Sequence, residues 1–367
     1  MKKKSFIYII LSLVITLGAC NDPVFYIISV ESPIAEPLIG GSPTNFVELN
    51  NNLYVASGSK IYRYNGSWEA ISRQPDGRVV QLAATDNYLY ALYLKGSGRN
   101  ETRHIAYSNG GSGNWTDMNV SSAKKIFAAN NILFICAGNG DDDNKIFYAN
   151  EGVGSASQIS GAGGKSLLNG VVYDGSHYFL CTESDGIYYG SSPSAAALIN
   201  GSNKEFTGII NLSSSYTVAI TRSEGTLFKI ATTGISDLSV SFNNENHYSN
   251  GALAVWTGND KNGNPRRLLL AGRQDSLIYA VDSGYTYGYM EIELELTGGL
   301  KSGSKFVEPG GDVSSTADYE RYVSTIGKHP VNYIFQAADG ILFASTHMAG
   351  VWSCRLRDGI LQWNAEE

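Results

Sequence analysis

Acidic residues crowd one short stretch, Asn139-Gly140-Asp141-Asp142-Asp143-Asn144, whose side-chain oxygens could surround a hard cation if the loop curled. The spacing matches no EF-hand, and Asn259-Asp260-Lys261-Asn262-Gly263-Asn264 lacks a following acid for bidentate ligation, so both read as polar hairpin turns. No metal and no cofactor is expected. The five histidines (His104, His177, His247, His329, His347) are scattered, and no G-x-S-x-G, H-E-x-x-H or Walker-type loop occurs. Carboxylate pairs for glycoside hydrolysis stay open, because their separation is set by the fold and not by spacing along the chain. Three cysteines, Cys136, Cys181 and Cys354, lie in apolar strand-like runs with no C-x-x-C or Cys/His cluster, which reads as buried hydrophobic thiols and argues against zinc.

One cysteine is placed for a different chemistry. Cys20 follows Leu17-Gly18-Ala19, an apolar run from Phe6 and the charged start Lys2-Lys3-Lys4. A charged start, an apolar core too short to span a bilayer comfortably and small residues before a cut define a secretory signal. With the cysteine added, the stretch resembles a bacterial lipoprotein signal. The resemblance implies cleavage after residue 19, acylation of Cys20 (palmitate among the acyl groups) and an exported chain held to a bacterial membrane, periplasmic or surface-exposed. Residues 20–42 then read as a lipidated tether, in which Val24-Phe25-Tyr26-Ile27-Ile28 could form an extra strand.

Removing residues 1–19 takes three of the 27 Lys and Arg and none of the 34 acidic residues, so the formal charge moves from −7 to −10. That balance disfavours a sequence-independent grip on nucleic acid, which needs cations against phosphates, and it offers no polybasic membrane patch. With 41 glycines, 23 tyrosines and only 17% charged residues, the composition is that of many turns between short aromatic-rich strands.

An internal repeat organises those strands. An apolar strand, a turn and a second strand opening on an aliphatic–aromatic pair recur seven times. The copies are Leu53–Ser57 before Ile61–Tyr64, Leu89–Tyr93 before Ile105–Tyr107, Leu133–Ala137 before Ile146–Tyr148, and Tyr178–Thr182 before Ile187–Tyr189. Thr217–Thr221 before Leu227–Ile230, Leu268–Ala271 before Leu277–Tyr279, and Leu342–Thr346 before Val351–Ser353 complete the set. Each copy has a leading strand, such as Val79–Ala84 or Val331–Ala337, and a trailing one, so the unit is four strands. The trailing strand is clearest at Tyr289–Leu296, where Met290, Ile292, Leu294 and Leu296 alternate with Glu291, Glu293 and Glu295. This places the glutamates on a wet outer edge.

On this pattern residues 43–367 resemble the β-propeller superfamily: all-β, seven four-stranded blades, with six or eight as open alternatives, and an insertion at about 298–329. Ser108-Asn109-Gly110-Gly111-Ser112-Gly113-Asn114-Trp115 is similar to the Asp-box hairpin of sialidase-like propellers, with Gly110 where the family has aspartate, and Asn65-Gly66-Ser67-Trp68 has a similar shape. The sialidase Arg-Ile-Pro signature is missing.

The four-strand phase gathers the turns between second and third strands on one face. They carry Arg99 and Glu101, Asp141, Asp142 and Asp143, Glu183 and Asp185, Arg222 and Glu224, Arg273 and Asp275, and His347. Function on repeat scaffolds resides in such loops, which makes this rim the candidate binding surface. The expectation is a non-enzymatic scaffold for another envelope or extracellular protein. The alternative is a carbohydrate-binding or glycan-processing propeller that stacks sugars on aromatic rings.

Overall fold

In the computed structural model the described residues are 38–139, 143–162, 166–242, 247–259, 263–275, 288–307, 326, 329–357 and 360–366. The lipoprotein signal with Cys20, and the tether as far as Pro37, lie outside them, as do Leu277–Tyr279 and most of 298–329.

The strands form seven antiparallel sheets, each built from strands consecutive in sequence: 47–70, 78–117, 123–158, 168–198, 206–237, 247–294 and 331–365. Numbered 1 to 7 in that order, they are the blades of a β-propeller with almost no helix. Local chemistry makes the hairpins. Asn50-Asn51 and Asn130-Asn131 all have positive φ, between 46° and 62°, the two-residue turn whose twist matches the flanking strands.

Blades bury their second strands on both faces. Ile132–Ala137, Tyr178–Thr182 and Leu342–Thr346 are buried at every residue, so they read as unbroken apolar runs and not as alternation. Seven apolar clusters result, one between each pair of neighbouring blades. An open row of seven sheets would have six such interfaces, so the seventh, between blades 7 and 1, closes the ring. There Phe343 meets the Trp68 and Tyr64 rings edge-on, with centroids 5.2 and 4.8 Å away, over Phe46, Val55 and Val351. Residues 39 and 41 add backbone bonds, Val351 N to Ile39 O at 3.0 Å and Gly350 N to Gly41 O at 2.9 Å.

Blade 6 departs from the expected phase. Tyr289–Leu294 pairs directly with Pro265–Asp275 and is therefore the third strand, where the sequence pattern placed a trailing one. The fourth edge comes from 299–307, inside the expected insertion, through Leu294–Leu300 and Glu291–Val307 bridges. The three glutamates consequently do not share a wet face: Glu291 is 2% exposed, while Glu293 is half-buried between Arg266 and Lys301 at 2.7 Å from each.

Candidate functional site

The innermost strand of each blade is an edge strand, and its backbone groups facing the axis need partners. Side chains of the preceding blade supply many of them. The Asn45 amide both donates to Leu82 O (2.8 Å) and accepts from Leu82 N (2.9 Å). One blade on, the Gln81 amide clasps Ile126 in the same way, at 2.6 Å to its O and 3.0 Å from its N. Asn169 donates to Phe206 O, Thr207 to the Ser249 hydroxyl, Asn250 to Val331 O, and Ser345 back to Pro43 O. This belt passes round the whole ring.

The belt changes character between blades 3 and 4. Lys125 occupies the register position of Gln81: each follows an irregularity near the start of its inner strand, and Gln81 pairs with Leu92 as Lys125 pairs with Cys136. In place of an amide clasping backbone, a lysine ammonium donates to Asn169 Oδ1. Burial pushes its pKa below the ordinary lysine value, against a weaker upward pull from the Glu183 carboxylate.

The turns between second and third strands do share a face with the blade-to-blade crossings. The residue after the second strand donates to the residue before the inner strand in blades 3, 4, 5 and 7: Gly138 to Ser122, Glu183 to Leu167, Arg222 to Glu205 and His347 to Pro330, at 2.8–3.1 Å. On this face Arg222 stands half-exposed between two carboxylates, Glu205 at 3.3 Å and Glu183 at 4.0 Å, joining the turns of blades 4 and 5.

The other expected rim residues have diverse fates. Asp185 is engaged by its own scaffold, its Oδ2 accepting from Ser166 N at 2.9 Å and Ser166 Oγ at 2.7 Å. His347 is exposed, with Nδ1 3.4 Å from Ser42 Oγ, beside Met348 at 74% exposure. Asp143 is exposed, Arg99 lies in the short 3-10 turn Gly98–Asn100, and Asp141 and Asp142 fall outside the described residues. Arg273 and Asp275 are corrected from turn to strand. Pro265–Asp275 runs eleven residues, so Arg273 is interior, 2% exposed, with its guanidinium on the Met290 sulphur at 3.3 Å.

No metal-holding cluster occurs among the described residues. The calcium-like stretch turns two of its oxygens to protein donors instead, Asn139 Oδ1 to the Ser122 hydroxyl and Asn144 Oδ1 to Lys124 Nζ, each at 2.7 Å. The Asp-box-like hairpin is a structural turn: Ser108 Oγ is buried and accepts from Gly113 N at 3.1 Å, and the Trp115 indole donates to Arg73 O. Tyr333, on the inner strand of blade 7, is 39% exposed although burial raises its phenol pKa, as befits a side chain reached by water but closely walled by protein. Sequence reasoning missed the belt, Lys125 and Tyr333.

No protein-family model matches the chain, and no curated protein matches it significantly. Solved structures do. The extracellular domain of the one-component system BT4673 from B. thetaiotaomicron aligns over 88% of this chain and 40% of its own, at TM-score 0.55 and 14% identity. This chain thus spans about two fifths of that domain. Virginiamycin B lyase from Staphylococcus aureus aligns over 86% of this chain and 97% of its own, at 0.54 and 10%. YCF48 bound to D1 peptide aligns over 87% and 93%, at 0.50 and 9%. At these identities the likeness is one of fold. The chain is a seven-bladed β-propeller, and the solved structures similar to it in fold include a lyase and a peptide-bound protein.

Proposed function

We propose that this chain is an exported bacterial lipoprotein, acylated at Cys20, whose propeller binds another envelope or extracellular protein on the face carrying the turns between second and third strands. The observation that carries the reading is the Glu183–Arg222–Glu205 group: three charged side chains from neighbouring turns, half-exposed on one face of a rigid ring. A surface that holds both signs of charge in fixed positions recognises a complementary polar partner and rejects mismatched ones. YCF48, of the same fold, has been seen with a peptide bound, which supports a peptide-binding use of such a ring. The anchor is supported by the triple lysine, the apolar run and Leu17-Gly18-Ala19-Cys20. The lipid bilayer is then a second partner, through the acyl groups.

Capture from detergent-solubilised envelopes tests the partner. The wild-type chain should enrich a defined protein and Arg222→Glu should lose it. A strong glycan-array signal with no co-purifying protein overturns the reading in favour of carbohydrate binding. Labelling with radioactive palmitate should mark the wild-type chain and not Cys20→Ala; equal labelling overturns the anchor.

A further inference from the structure

We infer that Lys125 is the anion-recognition group of this face and that it takes a carboxylate presented by the protein partner. The inference rests on the peptide-binding reading above and narrows it to one ligand chemistry. The belt groups that each blade passes to the next are otherwise neutral, amides at Asn45, Gln81, Asn169 and Asn250 and hydroxyls at Thr207 and Ser345, while two arginines outside the inner strands, Arg103 and Arg267, reach Lys124 O and Leu212 O. A cation at this register position is not needed to close a junction, because a glutamine there already closes the blade 2–3 junction with two bonds.

The cation is also under-compensated. Its acceptor is the neutral Asn169 Oδ1, and no carboxylate of a described residue lies within ion-pairing distance of Nζ. Asn169 itself is spoken for, its amide nitrogen donating to Phe206 O at 2.8 Å. A partly desolvated ammonium with one neutral acceptor keeps two donor positions and most of its charge for a ligand. Lys125 remains half-buried and not fully enclosed, so solvent reaches part of its side chain.

Nearby charges select the ligand's valence. Glu183 acts on Lys125, and Glu183 and Glu205 hold Arg222, so the group as a whole carries one positive and two negative neighbours beside the ammonium. These four charges sum to zero, so any anion is also repelled by the two glutamates, and a monoanionic carboxylate is repelled less than a phosphate dianion. The carboxylate can come from an acidic side chain or from a C-terminus, and the experiment separates the two.

Wild-type protein with ¹³C-labelled lysine is titrated with an acetylated, amidated glycine–glutamate peptide, with a glycine peptide ending in a free carboxylate, with the neutral counterpart of each, and with inorganic phosphate. One carboxylate peptide should shift the Lys125 ε-methylene saturably, its neutral counterpart should not, and the arm that responds names the source. Lys125→Gln restores the amide found at the preceding junction, so it should fold and yet bind that peptide about tenfold more weakly or worse. Affinity for Lys125→Gln within twofold of wild type, equal binding of the neutral peptides, stronger binding of phosphate, or no shift at Lys125 up to about 10 mM peptide overturns the inference. The two readings fail separately: capture of a partner by both wild type and Lys125→Gln sinks this inference alone, while a wild type that captures nothing sinks the peptide-binding reading.

Discussion

Gln81→Leu is the sharpest test of how the ring holds its shape. Gln81 is 8% exposed and supplies both a donor and an acceptor to the axis-facing backbone of Ile126, 45 residues away in the next blade. Leucine fills nearly the same volume but leaves Ile126 N–H and C=O without those partners. A stranded buried polar group costs about 1–3 kcal/mol, so two cost about 2–6 kcal/mol. Roughly 1 kcal/mol returns as apolar burial, leaving a net loss of about 1–5 kcal/mol, centred on about 3, from a total stability on the order of 10 kcal/mol. Urea unfolding followed by tryptophan fluorescence should show the midpoint falling by about 1 M at unchanged slope, for a slope near 3 kcal/mol/M. Gln81→Glu sharpens the argument. Its carboxylate still accepts from Ile126 N but sets a charged oxygen against Ile126 O, and protonation restores a donor, so its deficit relative to wild type should shrink as pH falls. A Gln81→Leu midpoint within about 0.2 M of wild type would refute the view that side chains of the preceding blade complete these inner edges.

Three further outcomes follow from the same geometry. A Cβ on Gly208 would lie 2.6 Å from Gly251 O on the neighbouring inner strand, so Gly208→Ala should destabilise by about 1–3 kcal/mol, while Gly154→Ala, whose Cβ meets only Tyr107 Oη at 3.8 Å, should stay within about 0.5 kcal/mol; chemical denaturation reads both. Burial lowers the folded pKa of Lys125, so the folded state holds this proton less tightly than the unfolded chain and the penalty applies at every pH below the folded value. Lys125→Gln should therefore gain most over wild type near neutral pH, and the gain should fade as pH rises toward the ordinary lysine value of 10.5 in paired thermal melts. Burial pushes the Cys181 thiol up to about 12 and raises that of Cys136, so neither should be alkylated by iodoacetamide at pH 8 until the protein unfolds, as peptide mass spectrometry would record.

Much of the fold is legible because a blade is a local object. Leu53–Ser57 and Ile61–Tyr64 are neighbours in the chain, and their apolar runs, turn asparagines and glycines announce a hairpin without reference to anything distant. Six of the seven copies lie where the repeat places them. Blade 6 defeats the pattern because Leu277-Ile278-Tyr279 looks as much like a third strand as Tyr289–Leu294 does, and alternation carries no label for which strand it pairs with. The error propagates to the rim: with the turn placed too early, Arg273 reads as a loop residue, although an eleven-residue strand carries it inside the sheet.

Residue types and short spacings suffice for the four-strand repeat, for six of its hairpins in their order, for the acidic balance and for the buried state of Cys136, Cys181 and Cys354, because each is a local property. Tertiary structure alone decided the closure through Phe343, Tyr64 and Trp68, the grouping of Glu183, Glu205 and Arg222, and the place of Lys125 in a belt of neutral side chains. Those relations join residues from about 20 to nearly 300 positions apart, through bulges that shift register by one residue and so choose which side chain meets the axis. Local alternation is blind to such a choice; it is settled only when neighbouring blades pack.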